Sequence, residues 1–230
     1  MQNGNYITLI GQMKVSVPLQ NFISLLVMAF GILFMHGGGF PMIISPAIVL
    51  VVIWLFLKFI SKEKFSSLLF SFKRFELKAV WVGAIAAIVL AAFFQFLWGP
   101  LMDKILPNEK IDLGAFDSIR GNIYNYIFIM LMALLLGGFF EEIFFHGFIF
   151  TRFEKMFRGK YAIVISVFLS NVIFGLYHYQ MGIKEIFLAT IAGFAYHFLI
   201  LKFNRNLWYG LFFHTFFDFI GLTQIYLGHL

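Results

Sequence analysis

The chain has 230 residues, of which 61% are hydrophobic and 20% aromatic, with 34 Phe and only 12% charged. This composition excludes a soluble globular domain, whose exterior must be largely polar, and makes lipid the expected solvent. The formal net charge of +6 sits in loops between apolar segments, which argues against a nucleic-acid partner, and the absence of Cys excludes disulfide and thiol chemistry.

Residues 1–18 are polar or weakly apolar and read as a cytoplasmic or interfacial segment rather than a signal peptide. The apolar runs that follow are long enough to cross a bilayer as helices, in which the backbone bonds to itself. Seven are expected: Leu19–Met35, Met42–Ile60, Lys78–Trp98, Ile123–Phe150, Tyr161–His178, Ile186–Leu201 and Leu207–Tyr226. The fourth can continue to Phe157, and an interfacial helix at the N-terminus would make an eighth. The fold class is therefore an all-α, polytopic transmembrane helix bundle. Its N-terminal spans occupy residues 19–122, and the chemistry-bearing core lies in 123–230.

Loop charge alternates in step with this count. Lys14 precedes the first span, Lys58, Lys62, Lys64, Lys73, Arg74 and Lys78 surround the second connection, and Arg152, Lys155, Arg158 and Lys160 the fourth. With Lys202 and Arg205 in the sixth, one side holds 13 of the 17 Lys and Arg residues. The other side holds Lys104, Lys110, Arg120 and Lys184 among several acids. The positive-inside rule then predicts a cytoplasmic N-terminus.

Ionisable groups inside such spans are costly and need a partner or a polar cavity. The sequence offers Glu141, Glu142 and His146 in FFEEIFFHG, Phe174 and His178 in FGLYH, and His214 and Asp218 in HTFFD. Within each string the residues four apart share a helix face. Glu141 and Glu142 differ by about 100° on an α-helix, so one is expected to face a reaction centre and the other to make a supporting pair. Counted from the loop they share, Glu141 and His178 both lie about 25 Å deep, and His214 and Asp218 fall about 13–20 Å beyond Arg205. The three spans can thus bring these groups to one level.

Such a set suits activation of a water by a carboxylate and an imidazole, with a second imidazole at the oxyanion. It also suits zinc, with Glu141, His178 and His214 as the candidate ligands, although no H-E-x-x-H spacing is present. Asp218, when ionised, can only accept hydrogen bonds, so it must be protonated, orient His214 or hold a metal. His197 reads as a packing or interfacial residue, and His36 and His229 as loop or terminal ones. Gly137, Gly138 and Gly147 beside the acids should let helices approach closely.

The three strings in this order resemble the CAAX-protease and bacteriocin-processing (Abi, CPBP) family of intramembrane endopeptidases. Its pattern is Glu-Glu-x-x-x-Arg, then Phe-x-x-x-His, then His-x-x-x-Asn or Asp, and here it falls between about Ile123 and Tyr226. The resemblance implies that Glu141 and His178 activate the hydrolytic water and that His214 and Asp218 stabilise the oxyanion. Glu142, His146 and Phe174 would support them, with no cofactor required and zinc the alternative. It further implies an integral protein of the bacterial cytoplasmic membrane acting on a prenylated protein, leader peptide, or bacteriocin or pheromone precursor. His146 stands where the family has Arg, and a His pairs with Glu142 only when protonated. That departure keeps a second reading open, a non-proteolytic membrane scaffold, and a third, an ion carrier using the same acids as a relay.

Overall fold

The structure is a computed structural model and describes residues 15–37 and 44–230. It is all-α: the described residues form helices and short helical turns with no strand among them. Two units separate along the chain, one up to Lys64 and the other Phe65–Leu230. The first contains α1 (Val17–Gly37) and α2 (Ile44–Ser61), which pack on each other. The start of the second expected span, Met42, and the expected interfacial segment up to Lys14 lie outside the described residues. His36 belongs to the last turn of α1 rather than to a loop.

The second unit holds α3 (Leu77–Ile105), α4 (Ile123–Met156), α5 (Ala162–Tyr177), α6 (Ile183–Lys202) and α7 (Leu207–Leu227). Each of the seven expected spans therefore coincides with a helix. Five of them (α1, α2, α3, α4 and α6) are long and apolar enough to cross a membrane by themselves. α5 is apolar but has only 16 residues, and α7 has 21 but carries His214 and Asp218 within it. The third helix runs past its expected end, to Ile105, and the fourth continues to Met156, within the longer bound that the sequence allowed. Gly99 and Pro100 lie within the extension of the third helix, and the wide turn over Phe94–Trp98 just before them accommodates the proline ring at the start of the Gly99–Ile105 segment.

Side chains fix where the long helices begin. Asn122 caps α4 by accepting from the backbone N–H groups of Tyr124 and Asn125, and Asn206 caps α7 by accepting from Trp208 N–H. Close approach then sets the packing. At Gly83 of α3 an added Cβ would lie 2.7 Å from the Phe213 nitrogen, so α3 and α7 touch backbone to backbone. At Gly137 and Gly138 of α4 it would meet Asp218 Oδ2 at 2.5 Å and Thr215 Oγ1 still closer, so α4 approaches α7 through the paired glycines as expected.

The two ends of this unit have separate polar networks. At one, Arg205 donates to Glu154 at 2.7 Å, and Arg74 donates to the carbonyls of Arg205 and Asn204 at 2.9 and 2.6 Å. The hydrogen bonds to Glu154 push the Arg205 pKa further above its ordinary value. At the other, Lys184 donates to Asp103 at 2.6 Å, Arg120 pairs with Asp117 at 3.1 Å, and Asp112 N–H donates to the Met181 carbonyl at 2.8 Å.

Candidate active site

The middle of α4 is unusual. From Leu134 to Ile149 the backbone hydrogen bonds run i to i+5, and Phe150 N–H closes the stretch on the carbonyls of Phe145 and Gly147. Wide turns of this kind are rare and are often found at functional sites. Glu141, Glu142 and His146 all lie in this stretch, inside a wall of Phe side chains. Phe140, Phe144, Phe145 and Phe148 are all at most 2% exposed.

The two neighbouring carboxylates have different surroundings. Glu142 is fully buried, and its Oε1 lies 3.1 Å from His146 Nδ1 and 3.0 Å from His214 Nδ1. Glu141 retains 15% exposure, and its Oε2 is 3.9 Å from both His178 Nε2 and His214 Nε2. The division into one site-facing acid and one supporting acid is as expected. Their separation is not: both acids reach the same imidazole, one at each ring nitrogen. The wider turn rotates less per residue than an α-helix, and the ring of His214 spans what remains.

His178 stands at the C-terminal end of α5. There its Nδ1 donates to the carbonyl of Phe174 at 2.9 Å, satisfying a group that the ending helix would leave open. A carbonyl only accepts, so Nδ1 carries a proton, and Nε2 is the ring nitrogen on the side of Glu141. On α7, Asp218 Oδ1 lies 3.6 Å from His214 Nε2, on the same side of the ring as Glu141. Glu141, His178, His214 and Asp218 therefore line one site, and the depths counted from the loops agree with that convergence.

Phe174 shows why an aromatic residue suits the second string. Its ring meets His146, His178 and His214 edge to face, with centroids 5.2, 4.8 and 5.7 Å away. It spaces three imidazoles that would otherwise collapse on one another or admit water between them. Tyr196 of α6 supports the same arrangement from below, stacked on His214 at 4.7 Å with an interplanar angle of 20°.

Three residues of this neighbourhood were not singled out for it by sequence. Asn171, Tyr196 and His197 are all essentially fully buried. Asn171 stands three residues before Phe174 and seven before His178, which places it on the same helical stripe, and that spacing is a readable signal. His197 packs as expected, against Phe150 at 4.6 Å and His146 at 4.7 Å, but its Nδ1 also contacts Asn171 Oδ1 at 3.2 Å. It lies in the interior rather than at an interface.

A metal has also to be weighed against this geometry. Among the described residues, no three His, Asp or Glu side chains are disposed to ligate one ion as they stand. The candidate set of Glu141, His178 and His214 keeps its polar atoms 3.9 Å apart.

Residues 123–220 match the family model described as type II CAAX prenyl endopeptidase Rce1-like. The match runs from the start of α4 into α7 and takes in all three strings. Over this segment the chain is similar to that family of intramembrane CAAX-type proteases, in line with the resemblance, and the chain is an integral membrane protein. None of the curated proteins and none of the solved structures compared with the chain matches it.

Proposed function

We propose that the protein is an intramembrane endopeptidase that hydrolyses a peptide bond of a membrane-associated substrate with water activated by Glu141 and His178. The observation that carries this reading is the 3.9 Å gap between Glu141 Oε2 and His178 Nε2. It is too long for a direct hydrogen bond, and a water oxygen about 2.8 Å from each would bridge it. Such a water donates one proton to the carboxylate and another to the imidazole lone pair, and its oxygen is left to attack.

As the water adds to the scissile carbonyl carbon, its proton passes to Glu141 and the carbonyl oxygen becomes an oxyanion. His214 is held at Nδ1 by Glu142, so its Nε2–H points into the site and stabilises that charge. Asp218, 3.6 Å from the same nitrogen, helps to keep the ring in this orientation. When the tetrahedral intermediate collapses, the C–N bond breaks and Glu141 returns its proton to the leaving amine. One product is a carboxylate, the other an amine, and both side chains are regenerated.

The family description points first to prenylated peptides as substrates, with leader, bacteriocin or pheromone precursors as the alternative class. The lipid bilayer brings such substrates to the site in either case. A membrane scaffold without proteolysis rested on the replacement of Arg by His146. The contact of His146 with Glu142 at 3.1 Å leaves that replacement compatible with a working site.

The decisive test is cleavage of a farnesylated CAAX peptide, an unprenylated copy and a random peptide library by the purified protein. Glu141→Gln and His178→Ala should each abolish cleavage while the protein still folds. Cleavage that persists in both variants, or wild-type protein that cleaves none of the three probes, would overturn the assignment. Metal content of the same sample, with activity before and after a chelator, tests whether zinc takes part.

A further inference from the structure

A second buried polar group lies behind Glu142, away from that site, and the reaction above does not use it. It consists of His146, Asn171 and His197, contributed by α4, α5 and α6, and each is fully buried. Asn171 Oδ1 lies 3.0 Å from His146 Nε2 and 3.2 Å from His197 Nδ1, while its Nδ2 donates to the Val167 carbonyl at 2.8 Å. That last bond fixes which way the amide faces. Turned over, it would set its oxygen against another carbonyl oxygen. The side chain also has its own place in the packing, since a Cβ on Gly193 would lie 2.7 Å from Oδ1.

An amide oxygen only accepts, so both histidines must donate to it. His197 then carries its proton on Nδ1, and its Nε2, which has no partner, is the unprotonated nitrogen of a neutral ring. His146 carries a proton on Nε2. Its other nitrogen lies 3.1 Å from Glu142 Oε1, at ion-pair distance although out of line for a straight N–H hydrogen bond. A ring protonated at Nε2 alone would turn a lone pair toward a buried carboxylate. A ring protonated only at Nδ1 would turn one toward the Asn171 oxygen. The doubly protonated ring turns no lone pair toward either neighbour and sets a positive charge beside the Glu142 carboxylate. The groups facing His146 are Glu142 on its own helix, Asn171 and Phe174 on α5, and Tyr196 and His197 on α6. His214 of α7 contacts the far side of Glu142.

We propose that Asn171 is a positioning residue whose carbonyl fixes the protons of His146 and His197. It makes His146 a standing cation against Glu142, where the family has Arg, and so holds Glu142 on His214. His197 fills the second lone pair of the amide oxygen and keeps the amide from turning. The effect on activity rests on the endopeptidase reading, but the proton arrangement does not.

The test is a ring-nitrogen spectrum of the six histidines, labelled with 15N in the full chain in lipid nanodiscs near neutral pH. His146 is expected with both nitrogens protonated, and His197 neutral with its proton on Nδ1. Asn171→Leu should remove both signatures. It should also lower kcat on the farnesylated peptide about ten-fold with KM nearly unchanged, as loss of an outer partner of a functional group commonly does. Asn171→Asp keeps the oxygen that accepts from both histidines but loses the donor to the Val167 carbonyl, and should give a rate between those of Asn171→Leu and the wild type. A neutral His146 in the wild type, a His197 protonated on Nε2, or spectra and kcat unaffected by Asn171→Leu would each overturn the proposal. The wild-type spectrum decides even if Asn171→Leu fails to fold. An inactive wild type with the expected ring protons would sink the endopeptidase reading and leave this arrangement standing.

Discussion

Glu141 and Glu142 are adjacent and chemically identical, and their surroundings assign them opposite duties. Glu141 is partly exposed and has its nearest ionisable neighbours 3.9 Å away, so little of the fold depends on it. Glu142 is sealed in and holds two histidines at 3.0 and 3.1 Å. Removing the charge of each should therefore give two different phenotypes. Glu141→Gln is expected to lower kcat by about 10²-fold or more, as loss of a general base does, with the unfolding temperature unchanged. Glu142→Gln leaves two buried imidazoles without their counter-ion and should cost about 3 kcal/mol of stability. Thermal unfolding in detergent and cleavage rates, measured on both variants, separate the two. Equal loss of stability in both would contradict the assignment.

At the level of the helices, glycine positions rather than hydrophobic stripes set the approach of α3, α4 and α7. A methyl group on Gly83 would meet backbone atoms, the Phe213 nitrogen at 2.7 Å and the Phe212 carbonyl carbon at 2.8 Å, and no side-chain rotation relieves that. Gly221, later on α7, has nothing within 4 Å of the same added atom. Gly83→Ala should therefore destabilise by about 1–3 kcal/mol through overpacking, while Gly221→Ala should be tolerated. A fall in unfolding temperature for both, or for neither, would show that the α3–α7 contact is looser than drawn. The same scale shows what a sequence reader can reach. The order of the spans and the convergence of Glu141, His178 and His214 were legible, because loop charges mark depth and four-residue spacings mark faces. The wide-turn stretch of α4 was not. Almost every residue from Leu134 to Ile149 is apolar, so no polar stripe records whether the helix turns by 3.6 residues or more. For that reason the meeting of both carboxylates on one ring was missed. Asn171 went unremarked for another reason: its partners lie on α4 and α6, and only their packing gives its position meaning.

Across the whole of the second unit, charge is sorted by end. Arg74, Glu154 and Arg205 meet at one end, drawn from the connections before α3, after α4 and after α6. Asp103 with Lys184, and Asp117 with Arg120, belong to the other. Successive antiparallel helices require this alternation, and it coincides with the excess of Lys and Arg at the first end. The positive-inside rule then predicts that this end faces the cytoplasm. The chain contains no Cys, so single cysteines can be introduced without removing any native thiol. Lys202 and Arg158 are exposed at the basic end, and Lys110 is exposed at the other. Lys202→Cys and Arg158→Cys should react with a membrane-impermeant maleimide only in inside-out vesicles, and Lys110→Cys only in right-side-out ones. The reverse pattern would invert the orientation and leave the fold untouched. Labelling of all three from one side would break the alternation itself, and with it the depth argument that brings Glu141, His178 and His214 to one level.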